Sequence, residues 1–232
     1  MTAPAARKPG DGGPDTLGLR MLRVLELVAG SERPSSVSEI AEALSLPRPT
    51  AHRICARLEE LGFLVREPGQ KLLVVGPRLQ SLAFGALRND GRRSERRAHL
   101  AALVETVGET CNFTMLSGHE VVYIDRVEAH WPLRLQLESG SRVPLHCTAS
   151  GKLLLAFQSA ARRERLLQAL DFKAHTPNSI VSREALQAEI DSIRKQGYSL
   201  DREEFLLGMV AIATPVLNAR REAVAAIACH AP

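Results

Sequence analysis

From Leu17 to Val75 the sequence alternates short amphipathic runs with strong stop signals, which leaves room for little but small helices and a hairpin. Leu19, Leu22, Leu25 and Val28 recur at helical spacing and Gly30 follows as a stop, so a first helix is expected over roughly 17–29. Ser36 or Ser38 can cap a second, short helix ending at Leu44, since a serine hydroxyl accepts from the free amides of a first turn. After a break at Ser45-Leu46-Pro47, a third helix is expected from about Pro49 to Leu61, with Gly62 as its stop. Ala51, Ile54, Cys55, Leu58 and Leu61 make one apolar stripe on it. His52, Arg53 and Arg57 fall on the other face, and Arg48 and Thr50 stand at its start. Phe63–Arg66 and Lys71–Val75 then flank Glu67-Pro-Gly-Gln70, which reads as a hairpin. Three helices followed by a hairpin make a winged helix-turn-helix.

That order has a physical use. A short helix, a tight turn and a second helix can place the second helix in the major groove of double-stranded DNA. Such a helix needs an apolar face for anchorage and a polar face for phosphates and base edges. Arg48, Thr50, His52, Arg53 and Arg57 are therefore the candidate DNA-binding residues. Charge agrees, because the first 97 residues carry 16 Lys and Arg against 11 Asp and Glu, and the remainder carries 14 against 15.

The organisation expected is a flexible tail over 1–16, a winged helix-turn-helix over 17–76, a linker helix over 77–97 and a further domain over 98–232. The tail is rich in Ala, Pro and Gly and lacks the apolar run of a secretion signal. No run of 18 apolar residues exists, so neither a membrane span nor a membrane partner is expected, and the location expected is cytoplasmic. Arg88, Arg92, Arg93, Arg96 and Arg97 read as a solvated linker face rather than a DNA contact. From Ala98 the texture turns α/β, with a helix over Ala101–Glu109 and strands over Asn112–Leu116 and Val121–Val127. Leu133, Leu135 and Leu137 alternate with polar residues as a half-buried strand. Helices are expected over Ala149–Phe157, Arg162–Leu170 and Arg183–Gln196, and late strands over Ala211–Leu217 and Val224–His230. The fold class is α+β, with a mixed or antiparallel sheet.

Catalytic and metal chemistry find little support. Cys55, Cys111, Cys147 and Cys229 form no CxxC pair, so no zinc site is expected. His146 and Cys147 are adjacent, and neighbours in an extended segment point to opposite faces, so they make no nucleophile–base pair. Ser150-Gly-Lys152 echoes a phosphate loop, but His146 stands where that loop needs glycine. The better reading is a helix N-terminus, where the amides of Ala149, Ser150 and Gly151 can meet an anion, most simply a carboxylate. Asp201, Glu203 and Glu204 read as solvated or hydrogen-bonding carboxylates. His99, His119, His130 and His175 show no ligand spacing. No cofactor, no metal and no enzymatic activity are expected.

These residues resemble the IclR family of bacterial transcription regulators. LGLRMLRVLELVAG and SVSEIAEALSLPRPTAHRICARLEELGFLVRE look like that family's DNA-binding domain. GETCNFTMLSGHEVVYIDRVEA, GSRVPLHCTASGKLLLAF, TPNSI and QGYSLDREEFLLGMVAIATPV look like its effector domain, in the same order. The resemblance covers about Leu17 to Pro232 and implies a GAF-like effector-binding domain, a homodimer or homotetramer, and a palindromic operator. It also implies an effector pocket drawn from Asp201, Ala211, Ala228 and His230, with Leu135, Val143 and Met209 as apolar lining. Leu135 fits independently, on the apolar face of its strand. The family usually has cysteine where Ala211 stands, a serine-rich last strand where this chain reads Ala228-Cys-His-Ala-Pro232, and glycine where Arg221 stands. Its members run on into a terminal helix where this sequence stops. The function expected is a ligand-responsive DNA-binding regulator sensing a small, carboxylic acid. The alternative is a small-molecule-binding protein or enzyme with a vestigial helix-turn-helix.

Overall fold

The computed structural model describes residues 16–31, 33–67, 69–89, 91–129 and 137–232. The expected tail up to 15, and the strand over Leu133–Leu137 except for Leu137, lie outside them, and Leu135 and His130 with it. The chain divides into two compact units, one ending at Gln80 and the next beginning at Ser81.

The first unit holds α1 (Leu17–Gly30), α2 (Val37–Ala43), α3 (Arg48–Glu60), β1 (Leu64–Arg66) and β2 (Leu73–Val75), and α4 (Pro77–Asn89) starts in it. Local chemistry explains the helix ends. Thr16 caps α1 by accepting from the amide of Leu19. Ser36 and Glu39 cap α2 reciprocally, at 3.2 Å from the Glu39 amide to the serine hydroxyl and 2.7 Å from the Ser36 amide to the carboxylate. The cap is therefore Ser36 and not Ser38. Val24, Val28, Ile40, Ile54, Leu58 and Leu64 lie within one buried apolar cluster. β1 and β2 pair antiparallel, with Leu64 opposite Val75, and Ser35 adds one bridge to Leu73.

The second unit contains α5 (Arg93–Val107), β3 (Thr110–Ser117), β4 (Glu120–Val127), β5 (Arg142–Pro144), α6 (Ala149–Ala156), α7 (Ala160–Gln168), α8 (Arg183–Gln196), β6 (Ser199–Arg202), β7 (Val210–Leu217) and β8 (Ala223–Ala231). Its six strands form one sheet in the order β5-β4-β3-β8-β7-β6, with every neighbouring pair antiparallel. Side chains alternate across it. One face carries Val121, Tyr123, Ala211, Ala213, Ala226 and Ala228 into the cluster built on α6 and α8. The other face carries Phe113 and Asp125, which meet α5 through Arg96.

α5 departs from expectation. It begins at Arg93, well before Ala101, and the arginines that read as a solvated linker are partly structural. Asp125 is 0% exposed and takes Arg96 Nε at 2.8 Å and Arg93 Nε at 3.5 Å. A buried carboxylate needs such compensation, and two cations on one helix supply it. No described helix is long and apolar enough to cross a membrane.

Candidate nucleic-acid interface and effector pocket

α3 presents the two faces that its sequence requires. Ala51, Ile54, Cys55 and Leu58 are buried, whereas Arg48, His52, Arg53 and Arg57 are exposed and Thr50 is half-buried. Arg57 pairs with Glu60 at 2.8 Å, an exposed contact that a phosphate can displace at small cost. Leu61 is half-buried at the C-cap. On β1, Arg66 forks onto Glu59 with both contacts at 2.9 Å, which fastens the hairpin to α3.

The effector candidates converge on the inner face of the larger sheet. Asp201 pairs with Ala211, and Ala211 with His230, so three candidates share one rung across β6, β7 and β8. Val143, Ala149, Ala211 and Ala228 belong to one buried cluster. Met209 is half-buried after the turn at Gly208 and is not part of that cluster. Leu135 lies outside the described residues.

The N-terminus of α6 needs one correction. Thr148 caps the helix, and its hydroxyl takes the amide of Gly151 at 3.1 Å while donating to the Pro144 carbonyl at 2.7 Å. The Gly151 amide is therefore taken, which leaves the amides of Ala149 and Ser150, for which no partner is found among the described residues, as the candidate anion donors. Gly151 is required for another reason: a Cβ there would stand 2.5 Å from the Leu145 carbonyl oxygen. Lys152 is no phosphate lysine. It is fully buried and bound to Glu204 and, at 3.2 Å, to Glu189. Glu203, expected to be solvated or hydrogen-bonding, accepts from the Gly208 amide at 2.9 Å. Thr176 and Ser179, in the TPNSI stretch, donate to the carbonyls of Glu203 and Glu204, each at 2.6 Å.

Burial sets the protonation of this region. Asp201 is pushed up to about 6, first by burial, against the opposing bond from the Glu204 amide. His230 is pushed down to about 4, by burial and then by Arg126. Cys147 is pushed up to about 12, by burial first and then by Asp201 and Glu204.

A second correction concerns His146 and Cys147. Residues 145–148 bend into α6 rather than running extended, so the two side chains do not diverge. One donor atom each from His146, Cys147 and His175 lie within 4.8 Å of one another, a set that could hold a zinc-like ion. His146 Nε2 is 2.9 Å from the Lys173 carbonyl, to which it donates, and this leaves Nδ1 for a ligand.

Sequence reasoning passed over Asn112, Tyr123 and Arg126. Asn112 and Tyr123 are buried on the inner face, and Arg126 Nη1 donates to Asn112 Oδ1 at 3.0 Å. Alternation along Cys111-Asn-Phe-Thr-Met115 says that Asn112 and Thr114 share a face, but polar residues in that pattern usually face water. A groove of about 470 Å³ runs along β6, β7 and β8, lined by Val107, Leu200, Ile212 and Cys229 and also by Asp201, Ala211 and His230 of the candidate rung. Beside it Cys111 and Cys229 face each other across β3 and β8 with sulfurs 3.0 Å apart.

A winged helix-turn-helix with an exposed basic helix, followed by an antiparallel-sheet domain with buried polar side chains on its inner face, is the architecture of a transcription regulator with a DNA-binding and an effector domain. The IclR helix-turn-helix domain matches residues 19–68, and the bacterial transcriptional regulator IclR C-terminal domain matches residues 85–232. The chain is 45% identical over 214 residues to the probable transcriptional regulator SauR of Cupriavidus necator, covering 92% of this chain and 85% of that one. It is similar to the crystal structure of Thermotoga maritima IclR, with 31% identity, a TM-score of 0.59, and coverage of 91% and 85%. It is also similar to an IclR homolog from Microbacterium hydrocarbonoxydans solved with 4-hydroxybenzoate, with 25% identity, a TM-score of 0.57, and coverage of 94% and 89%. The chain belongs to the IclR family: it is a transcriptional regulator with a DNA-binding domain and an effector domain.

Proposed function

We propose that α3 reads an operator through Arg48, Thr50, His52, Arg53 and Arg57, and that the second unit responds to a carboxylic acid with an apolar or aromatic body. The observation that carries the first half is the division of α3 into a buried stripe and a basic exposed face. For the second half, the amides of Ala149 and Ser150 are the anion donors, and Asp201, Ala211, Ala228 and His230 form the floor. Alanines at 211 and 228 offer no hydroxyl or thiol, so a very small acid that needs a partner for every oxygen is poorly matched. The 4-hydroxybenzoate bound by the Microbacterium relative supports the aromatic reading.

The active species is an even-numbered homo-oligomer, since one winged helix covers a single half-site and a two-fold pair covers two. Leu17 and Leu22 on α1, 56% and 58% exposed, and Leu82 on α4, 64% exposed, supply apolar surface for such pairing.

Arg53→Ala tests the DNA half. Operator binding should weaken by about 1–3 kcal/mol if Arg53 reads a base edge, with melting unchanged. Binding as tight as wild type by a folded variant would show the helix face to be misassigned. Titration with benzoate and para-substituted benzoates tests the acid half, and failure of all of them to bind would sink it.

A further inference from the structure

Two buried polar atoms beside the candidate site, Asn112 Nδ2 and His230 Nε2, have no hydrogen-bond partner among the described residues. Asn112 is 0% exposed, and its Oδ1 is occupied by Arg126, which fixes the amide orientation and leaves Nδ2 without a hydrogen bond. His230 Nε2 is likewise buried and unpartnered. The register makes them neighbours. Asn112 stands opposite Ala228 and His230 opposite Thr110, so the two are diagonal partners on one face of β3 and β8. Tyr123 closes the group from β4, with its ring centroid 6.4 Å from that of His230. An unmet buried donor costs about 1–3 kcal/mol, and native proteins tolerate few without a reason.

We propose that Asn112, Tyr123 and His230 receive the far end of the effector, and that this end carries an uncharged oxygen, a hydroxyl or a carbonyl. This rests on the reading that an acid lies at the N-terminus of α6, and adds that the acid is polar at both ends. Nδ2 of Asn112 can only donate, so the partner must accept. A second full anion is poorly served. Arg126 already gives one contact to Asn112 and another to Glu128 at 3.3 Å. Asp201 faces the same side on the same rung as His230. His230 is held neutral by burial, so it offers a dipole and not a charge.

Three acids of one shape separate the possibilities: benzoate, 4-hydroxybenzoate and terephthalate, titrated into the full chain by calorimetry. The hydroxy acid should bind about tenfold or more tighter than benzoate, the ratio that one well-made hydrogen bond at a buried donor gives. Asn112→Asp keeps the acceptor for Arg126 and removes the donor, so the ratio should fall to about one. His230→Leu, read the same way, should also shrink the ratio and serves if Asn112→Asp fails to fold. Equal binding of benzoate and 4-hydroxybenzoate to wild type overturns this proposal and leaves the acid reading intact. Tighter binding of terephthalate overturns the uncharged end. An undiminished preference in both variants overturns the assignment to these residues. Failure of all three acids to bind overturns the acid reading and this proposal together.

Discussion

Asp201 and His230 sit on one rung, and burial displaces their protonation in opposite senses. The folded state raises Asp201 to about 6, so it binds that proton more readily than the unfolded chain does. Its contribution to stability therefore rises as pH falls through 6 toward the ordinary aspartate range. The folded state lowers His230 to about 4, so the unfolded chain takes that proton first. Its contribution is present above the ordinary histidine value and is lost as pH falls toward 4. Each effect is worth on the order of 2–3 kcal/mol, and between pH 6.5 and 4 they offset each other. Asp201→Asn removes the rising half alone. It should be at least as stable as wild type at pH 7, and should lose about 2–3 kcal/mol more than wild type on acidification to pH 4.5. Urea midpoints at the two pH values check this, and parallel losses in both proteins would refute it.

Elements differ in how much of them the sequence shows. The helices of the first unit were legible because period, cap and stop coincide: Leu19 to Val28, the Ser36–Glu39 box and Gly62 each act within a few residues. β5 and β6 were not, since three or four residues such as Arg142–Pro144 or Ser199–Arg202 carry too little alternation to stand out. The start of α5 was hidden by its charge, because the burial of Arg96 depends on Asp125, 29 positions away. The approach of His175 to His146 and Cys147 is equally non-local. The candidate pocket divides the same way. The rung of Asp201, Ala211 and His230 came from family resemblance, the α6 N-terminus from a local motif, and the orphaned Asn112 from neither. Gly151 shows what a local motif conceals. It reads as part of an anion site, yet its role is to let α6 lie against the Leu145 backbone. Gly151→Ala should therefore destabilise the second unit by about 1–3 kcal/mol, although alanine is the better helix former. A melting temperature equal to or above wild type would contradict the close approach.

For the whole molecule, the uneven spread of charge has a measurable meaning. The excess of basic residues lies in the first 97 positions, where the exposed face of α3 also is. Affinity for a promoter fragment should fall steeply with salt, because neutralised phosphates release their counterions. The slope of log affinity against log salt should be shallower in Arg57→Ala by about one, if Arg57 leaves Glu60 for a phosphate. An unchanged slope would place Arg57 off the DNA. Light scattering showing only monomer, with and without operator, would refute the even-numbered assembly.

Lys152 offers a use of another kind. Its ammonium is sealed between α6, α8 and the loop after β6, with no exposed surface. An amine-acylating reagent cannot reach it until that packing parts, whereas surface lysines react at once. The rate at which Lys152 acquires the label should therefore follow the opening equilibrium of the region around it. An effector seated at the head of α6 should slow that labelling in proportion to its occupancy, and peptide mass mapping would read it without any promoter present.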